Sequence, residues 1–218
     1  MATVDFEGAI ATLQQVAIAY DTKQLPRRPE PADIVESMTV LERGRRGERR
    51  ELALEDVLGN WRLIFVTGTK KTRKKAGTVI GAGRYLPGLV KITISYRADD
   101  TVDLNENTAE QETEPKDTAQ STGRVVNQVQ LGGFAFTVTG PIEAIAGRQT
   151  YAFDFSRWSV ALGSWIPFDG QLGSGDAGAA TFTERPLKDR PFFNYFWTDD
   201  RAIAARGKGG GLALWIKI

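Results

Sequence analysis

Side chains able to do covalent or acid–base chemistry are scarce in this chain. Its 218 residues include no histidine and no cysteine. That removes thiolate nucleophiles, imidazole acid–base pairs, zinc sites built on Cys or His, iron–sulfur clusters and any triad that relays through imidazole. Carboxylates, lysines and hydroxyls remain. Asp199-Asp200 and the pair Asp169 and Asp176 are the carboxylate groupings that could serve as acid and base. Adjacent strand residues point to opposite faces, however, and aspartates in turns accept local backbone hydrogen bonds. Turn formation is the stronger reading, so we assign no catalytic residue and no cofactor, and read the chain as a non-enzyme.

Two motifs approach a ligand signature and stop short. Val79-Ile80-Gly81-Ala82-Gly83 resembles the start of a dinucleotide loop, but Leu86 and Pro87 stand where a third glycine and a helix are needed. Residues 103–114 place Asp103, Asn105, Asn107, Gln111 and Glu114 at oxygen-donor positions of a calcium loop, with Thr108 where the template requires glycine. A solvated acidic loop is the reading adopted, and no metal ligand is assigned.

Charge is balanced overall, 28 basic against 27 acidic groups, yet sharply segregated in one region. Residues 62–97 hold nine basic residues and no acid, including Lys70, Lys71, Arg73, Lys74 and Lys75, whereas residues 99–117 hold eight acids and one base. The cationic run could lie against anionic headgroups, or be an exposed loop that partly neutralises the acidic one. Aromatic residues for base stacking are not interleaved with it, so nucleic acid is not an expected partner.

The elements that must position any site fall into two regions. Phe6, Ile10, Leu13, Ala17 and Tyr20 recur at the helical period. Three prolines then break the helix, and a second is expected from Pro31, burying Ile34, Met38 and Leu41. After a charged stretch, residues 52–58 predict a short helix ended by Gly59 in a left-handed cap. From Trp61 the period becomes two. Strands are expected around Trp61–Val66, 90–96, 125–131, 134–138, 151–155, 181–184, 202–206 and 212–217. We therefore expect one domain over 1–218, helical over 1–58, and over 59–218 an antiparallel barrel or sandwich of about eight strands. No apolar run approaches the roughly 20 residues needed to span a bilayer as a helix. The acidic start MATVDFEGAI is unlike a signal or transit peptide, and a cytoplasmic location is expected, or a plastid stromal one if a transit peptide has been removed.

The segment Leu58-Gly59-Asn60-Trp61-Arg62-Leu63-Ile64-Phe65-Val66-Thr67 resembles the L-G-x-W-R-L-x-Y-T opening strand of the plastid lipid-associated protein (fibrillin) family. The resemblance continues at Val125-Val126-Asn127-Gln128-Val129, at Tyr195-Phe196-Trp197-Thr198-Asp199-Asp200, and at Arg206-Gly207 with the apolar strand 211–216. It implies a mainly β, lipocalin-like antiparallel barrel preceded by α-helices, found in plastids and cyanobacteria at thylakoids and lipid droplets. It also implies non-catalytic binding of a small apolar molecule such as a carotenoid, quinone or fatty acid. By the same resemblance Trp61 closes one end of the barrel, and Arg206 lies near the last strand, where a cation could pack on an indole face. The family's other arginine has no counterpart, Ile203 standing in its place. The apolar strand faces then nominate Phe65, Tyr96, Phe136, Phe153 and Phe155 as lining the interior, with the first helix over an open end or edge. The alternative is a structural protein peripheral to the thylakoid membrane, bound to anionic lipid through Lys70, Lys71, Arg73, Lys74 and Lys75.

Overall fold

A computed structural model describes residues 5–21, 28–44, 52–68, 83–98 and 122–218. The cations Lys70, Lys71, Arg73, Lys74 and Lys75, the acidic stretch 103–114 and residues 79–82 lie outside the described residues.

The first helix, α1 (Phe6–Asp21), starts where Asp5 accepts the backbone N–H of Gly8 at 2.8 Å, a side-chain N-cap. It buries Leu13, Val16 and Ala17, while Phe6 stays partly exposed at its end. The second, α2 (Pro31–Gly44), begins at Pro31 as expected and buries Ile34, Met38 and Leu41. The expected helix over 52–58 is instead a single 3-10 turn, Leu54–Val57. Gly59, with φ +122°, opens the following strand and caps nothing. Leu52, Leu54 and Val57 all have to be buried within six residues, and the tighter winding puts them there.

Eleven strands follow: β1 (Gly59–Val66), β2 (Arg84–Tyr85), β3 (Val90–Ala98), β4 (Thr122–Leu131), β5 (Phe134–Ala144), β6 (Thr150–Phe153), β7 (Arg157–Leu162), β8 (Trp165–Gln171), β9 (Phe192–Thr198), β10 (Ala202–Gly207) and β11 (Leu212–Lys217). A short helix, α3 (Gly175–Ala180), lies between β8 and β9. Eight strands close an antiparallel barrel in the order β1-β11-β10-β9-β6-β5-β4-β3, with β3 pairing back onto β1. The barrel expected from the sequence is thus present with the expected number of strands. One member differs: 181–184 is a 3-10 turn, Phe182–Glu184, and β9 takes the place expected for it. Phe182 is buried between the guanidinium groups of Arg185 and Arg190, 5.6 and 4.8 Å from its ring centroid.

Two apolar layers result. α1 and α2 pack on the outside of the barrel wall, on Ile64, Phe65, Phe196, Trp197, Ala204, Leu212 and Leu214. They do not close an open end, contrary to the sequence expectation, because the outward faces of β1 and β9–β11 are themselves apolar and need cover. The second layer fills the bore and is sealed at one end by Leu54 and Val57.

β7 and β8 were not expected, and they do not belong to the barrel. The far half of β5 pairs with β7, from Phe134↔Leu162 to Thr139↔Arg157, and β7 pairs with β8. β3 pairs with β1 only over Tyr96 to Thr93, so its residues 90–92 leave the barrel alongside β4. A five-stranded arm, β3-β4-β5-β7-β8, therefore projects from one end of the barrel. Pro167 sits in its edge strand, where a missing N–H costs no ladder bond.

Candidate functional site

Among the residues nominated from sequence, Trp61, Tyr96 and Phe153 belong to the bore, and Phe155 packs against it partly buried. The Trp61 indole N–H donates to the Val57 carbonyl at 2.7 Å, and the Lys217 ammonium lies 5.4 Å from its ring centroid. The Tyr96 and Tyr195 hydroxyls meet at 2.5 Å, and Tyr151 donates to the Ala53 carbonyl at 2.6 Å. These rings touch one another: Tyr151 and Tyr195 centroids are 5.4 Å apart, Tyr96 and Tyr195 6.5 Å, Phe193 and Trp215 5.3 Å. Burial pushes the phenols of Tyr96, Tyr151 and Tyr195 above their ordinary titration range. The bore is filled with interlocked aromatic side chains, with the Trp61 indole N–H and the Tyr96, Tyr151 and Tyr195 hydroxyls paired, one of the two outcomes open to an eight-stranded barrel.

Three nominated residues are elsewhere. Phe65 is on the outer wall, edge-on to Tyr85 at 5.4 Å. The β1–β11 register slips between Leu63 and Phe65, and this β-bulge turns Phe65 away from the face of Trp61. Arg206 also faces outward, donating through Nε and Nη2 to the two carboxylate oxygens of Glu42 at 2.6 and 2.5 Å. Its pairing with Glu42 raises its pKa further, and it fastens α2 to the barrel instead of meeting a ligand. Phe136 is on the arm, outside the barrel and tilted against Trp158 at 6.4 Å. Asp199 is a turn residue as expected, accepting the N–H groups of Arg201 and Ala202 at 2.8 Å each.

The arm carries the feature that sequence reasoning missed. In-register partners share a face of a sheet, so the pairings define three rows across it. The distal row is Val90, Leu131, Phe134, Leu162 and Trp165. The next is Ile92, Val129, Phe136, Val160 and Phe168, and the third is Ile94, Asn127, Val138, Trp158 and Gly170. The glycine lets the Trp158 indole lie across β8, since a Cβ at Gly170 would stand 2.9 Å from Trp158 Nε1. This face is the outward continuation of the bore lining. Along β4 exposure climbs from 0% at Val125 to 38% at Val129 and 56% at Leu131, and on β8 Trp165 and Phe168 reach 65% and 63%. The reverse face is mainly polar: Thr137, Thr139, Arg157, Ser159, Asp169 and Gln171 line a groove of about 680 Å³ together with Trp158, Gly170 and the exposed Ile166. Exposed apolar faces of this extent on soluble chains mark interaction surfaces.

Two connections of opposite charge, both outside the described residues, begin and end on described strands. The connection 69–82, with five cations and no acid, leaves β1 after Val66 and returns at Arg84, at the end from which the arm projects. The connection 99–121, with eight acids, leaves β3 after Ala98 and returns at Thr122, at the opposite end. Their anchors are separated by the nine-residue length of β3, about 26 Å at strand rise.

No family model matches this chain, and no curated protein matches it. Among solved structures, it is similar to the redesigned beta barrel b11L5F_LGL, with 10% identity and a TM-score of 0.30 over 76% of this chain and 94% of that one. It is also similar to the redesigned beta barrel mFAP1 bound to DFHBI, with 10% identity and a TM-score of 0.29 over 76% of this chain and 98% of that one. Likeness at that level carries no inference about this chain.

Proposed function

We propose that this protein is a non-catalytic binder of apolar molecules of the lipid, carotenoid or quinone class, and that they bind on the apolar face of the arm and not in the barrel bore. The observation that carries this reading is the face itself: aromatic and aliphatic side chains stand in register across five strands and remain open to water. A flat sterol-, quinone- or polyene-like ligand laid on Phe136, Phe168 and Trp165 gains both apolar burial and ring stacking. The reading retains the fibrillin resemblance as a proposal, with the thylakoid surface or the plastid stroma as the place of action. It moves the site from the interior, where the ring packing leaves little room, to the surface that the interior face becomes.

Titration with a water-dispersible quinone, followed by tryptophan quenching and thermal melting, tests it. Wild-type protein is expected to be quenched and stabilised, and F136S/F168S to lose both responses while folding normally. The bore variant Y151F is expected to bind like wild type. Binding that survives F136S/F168S but is lost in Y151F would return the site to the bore.

A further inference from the structure

We propose that the polar face of the arm carries a second binding site, separate from the apolar face, which takes a small sugar bearing one phosphate ester. Arg124 and Arg157 hold the phosphate at the base of the arm, and the hydroxyl, amide and carboxylate side chains beyond them hold the sugar.

Two adjoining concavities make the site, and Arg157 lines both. The smaller, about 190 Å³, lies where β4, β5 and the start of β7 meet, with α3 supplying Ala179 as a wall. Its floor depends on a missing side chain: a Cβ on Gly140 would collide with the Asp154 carbonyl oxygen, so glycine lets the chain cross β5 on its way into β7. Ser156 ends that crossing, its N–H donating to the Thr139 carbonyl at 2.9 Å, and lines the cavity while only 9% exposed. The strand register puts the cations on one face. Arg97 stands directly opposite Arg124, whose other partner, Pro141, lies two residues along β5 from Thr139, the partner of Arg157. Like charges directly opposite one another destabilise a sheet. Among the described residues no carboxylate pairs with Arg97 or Arg124. An oxyanion laid on them relieves that repulsion, and the guanidinium fork matches a phosphate's oxygens in paired hydrogen bonds.

The larger groove runs from Arg157 toward the tip of the arm and changes character one row on. Thr139, Arg157 and Gln171 form the row nearest the cations, and Thr137, Ser159 and Asp169 form the next, about 7 Å farther along the strands. Thr137 accepts the Gln128 amide at 3.1 Å and keeps its own proton to donate. These hydroxyl, amide and carboxylate groups can donate to or accept from sugar hydroxyls, while Trp158 and Ile166 offer apolar surface to the C–H groups of the ring. At about 680 Å³ the groove has the size of a small-molecule site. Asp169 limits the ligand to one phosphate. It is exposed on β8, at the end of the groove away from Arg124, where it would repel a second anion. The sequence of charges therefore fits a ligand that is anionic at one end and hydroxylated at the other, and disfavours polyphosphates and nucleic acid.

The test is isothermal titration calorimetry of the full chain at fixed ionic strength. The probes are glucose-6-phosphate, ribose-5-phosphate, glucose, inorganic phosphate and fructose-1,6-bisphosphate. At least one of the two monophosphates is expected to bind roughly tenfold or more tightly than glucose or inorganic phosphate, and more tightly than the bisphosphate. R124Q/R157Q should lose roughly tenfold or more of that affinity. It should keep its melting temperature and still be quenched by quinone, which separates this site from the apolar face. D169N should shift preference several-fold toward the bisphosphate. If neither monophosphate binds more tightly than inorganic phosphate, the proposal is overturned, and equal affinity in R124Q/R157Q and wild type overturns it too. An unchanged preference in D169N would overturn the limit to one phosphate.

Discussion

Removing one hydroxyl from the middle of the barrel separates a filled bore from a wet cavity. Tyr96 and Tyr195 are fully buried, and their hydroxyls serve each other at 2.5 Å. Y195F leaves the Tyr96 hydroxyl buried opposite a C–H, at a cost of about 1–3 kcal/mol for an unsatisfied polar group. Y96F leaves Tyr195 in the same position. Y96F/Y195F removes both partners while keeping ring volume, and is expected to lie within about 1 kcal/mol of wild type. The double-mutant cycle should therefore show a coupling of roughly 1–6 kcal/mol, the pair costing less than the sum of the singles. For a chain of this size each kcal/mol corresponds to about 2–4 °C in Tm, so melts and urea titrations resolve it. If water fills the bore it takes over the broken hydrogen bond. Singles costing nothing and adding without coupling would refute the packed bore, and with it the reason for placing the site on the arm.

Stability should also fall in alkali. Burial pushes Tyr85 up to about 12, and Tyr96, Tyr151 and Tyr195 likewise lie above the ordinary value of 10.0. Unfolded phenols release their protons first, so this contribution is intact below pH 10 and is lost as pH rises above it. The slope is about 1.4 kcal/mol per pH unit for each phenol. Urea midpoints that do not move between about pH 9.5 and 11.5 would contradict it. E42Q keeps the size of Glu42 but takes the charge from Arg206, and should cost about 1–3 kcal/mol. A loss below about 0.5 kcal/mol in urea would show that α2 is held by its apolar face alone.

The helices were legible because Leu13 and Ala17, and Ile34, Met38 and Leu41, keep the helical period and Pro31 marks a start. Most barrel strands were legible from alternation of the Ile92, Ile94 and Tyr96 kind. β9 was not, because a register slip opposite Ala204 and Ala205 puts Phe196 and Trp197 together on the outer wall and erases its alternation. One inserted residue in β1 likewise moved Phe65 from bore to wall, and no pattern of residue types announces a bulge. The arm was harder. Trp158, Val160 and Leu162 do alternate, but β8 is interrupted by Pro167 and Gly170 and does not read as a strand. Phe136 shares its face with bore residues and still lies outside the bore. Only the point at which β3 parts from β1 decides that, and this is a property of the pairing, not of any residue.

Hydrogen exchange read peptide by peptide, with and without bound quinone, tests most directly whether the arm is the working surface. Protection is predicted across 126–139 and 157–169, with no change in the bore segments of β6, β9 and β10. Protection confined to those bore segments, with an unchanged arm, would contradict it.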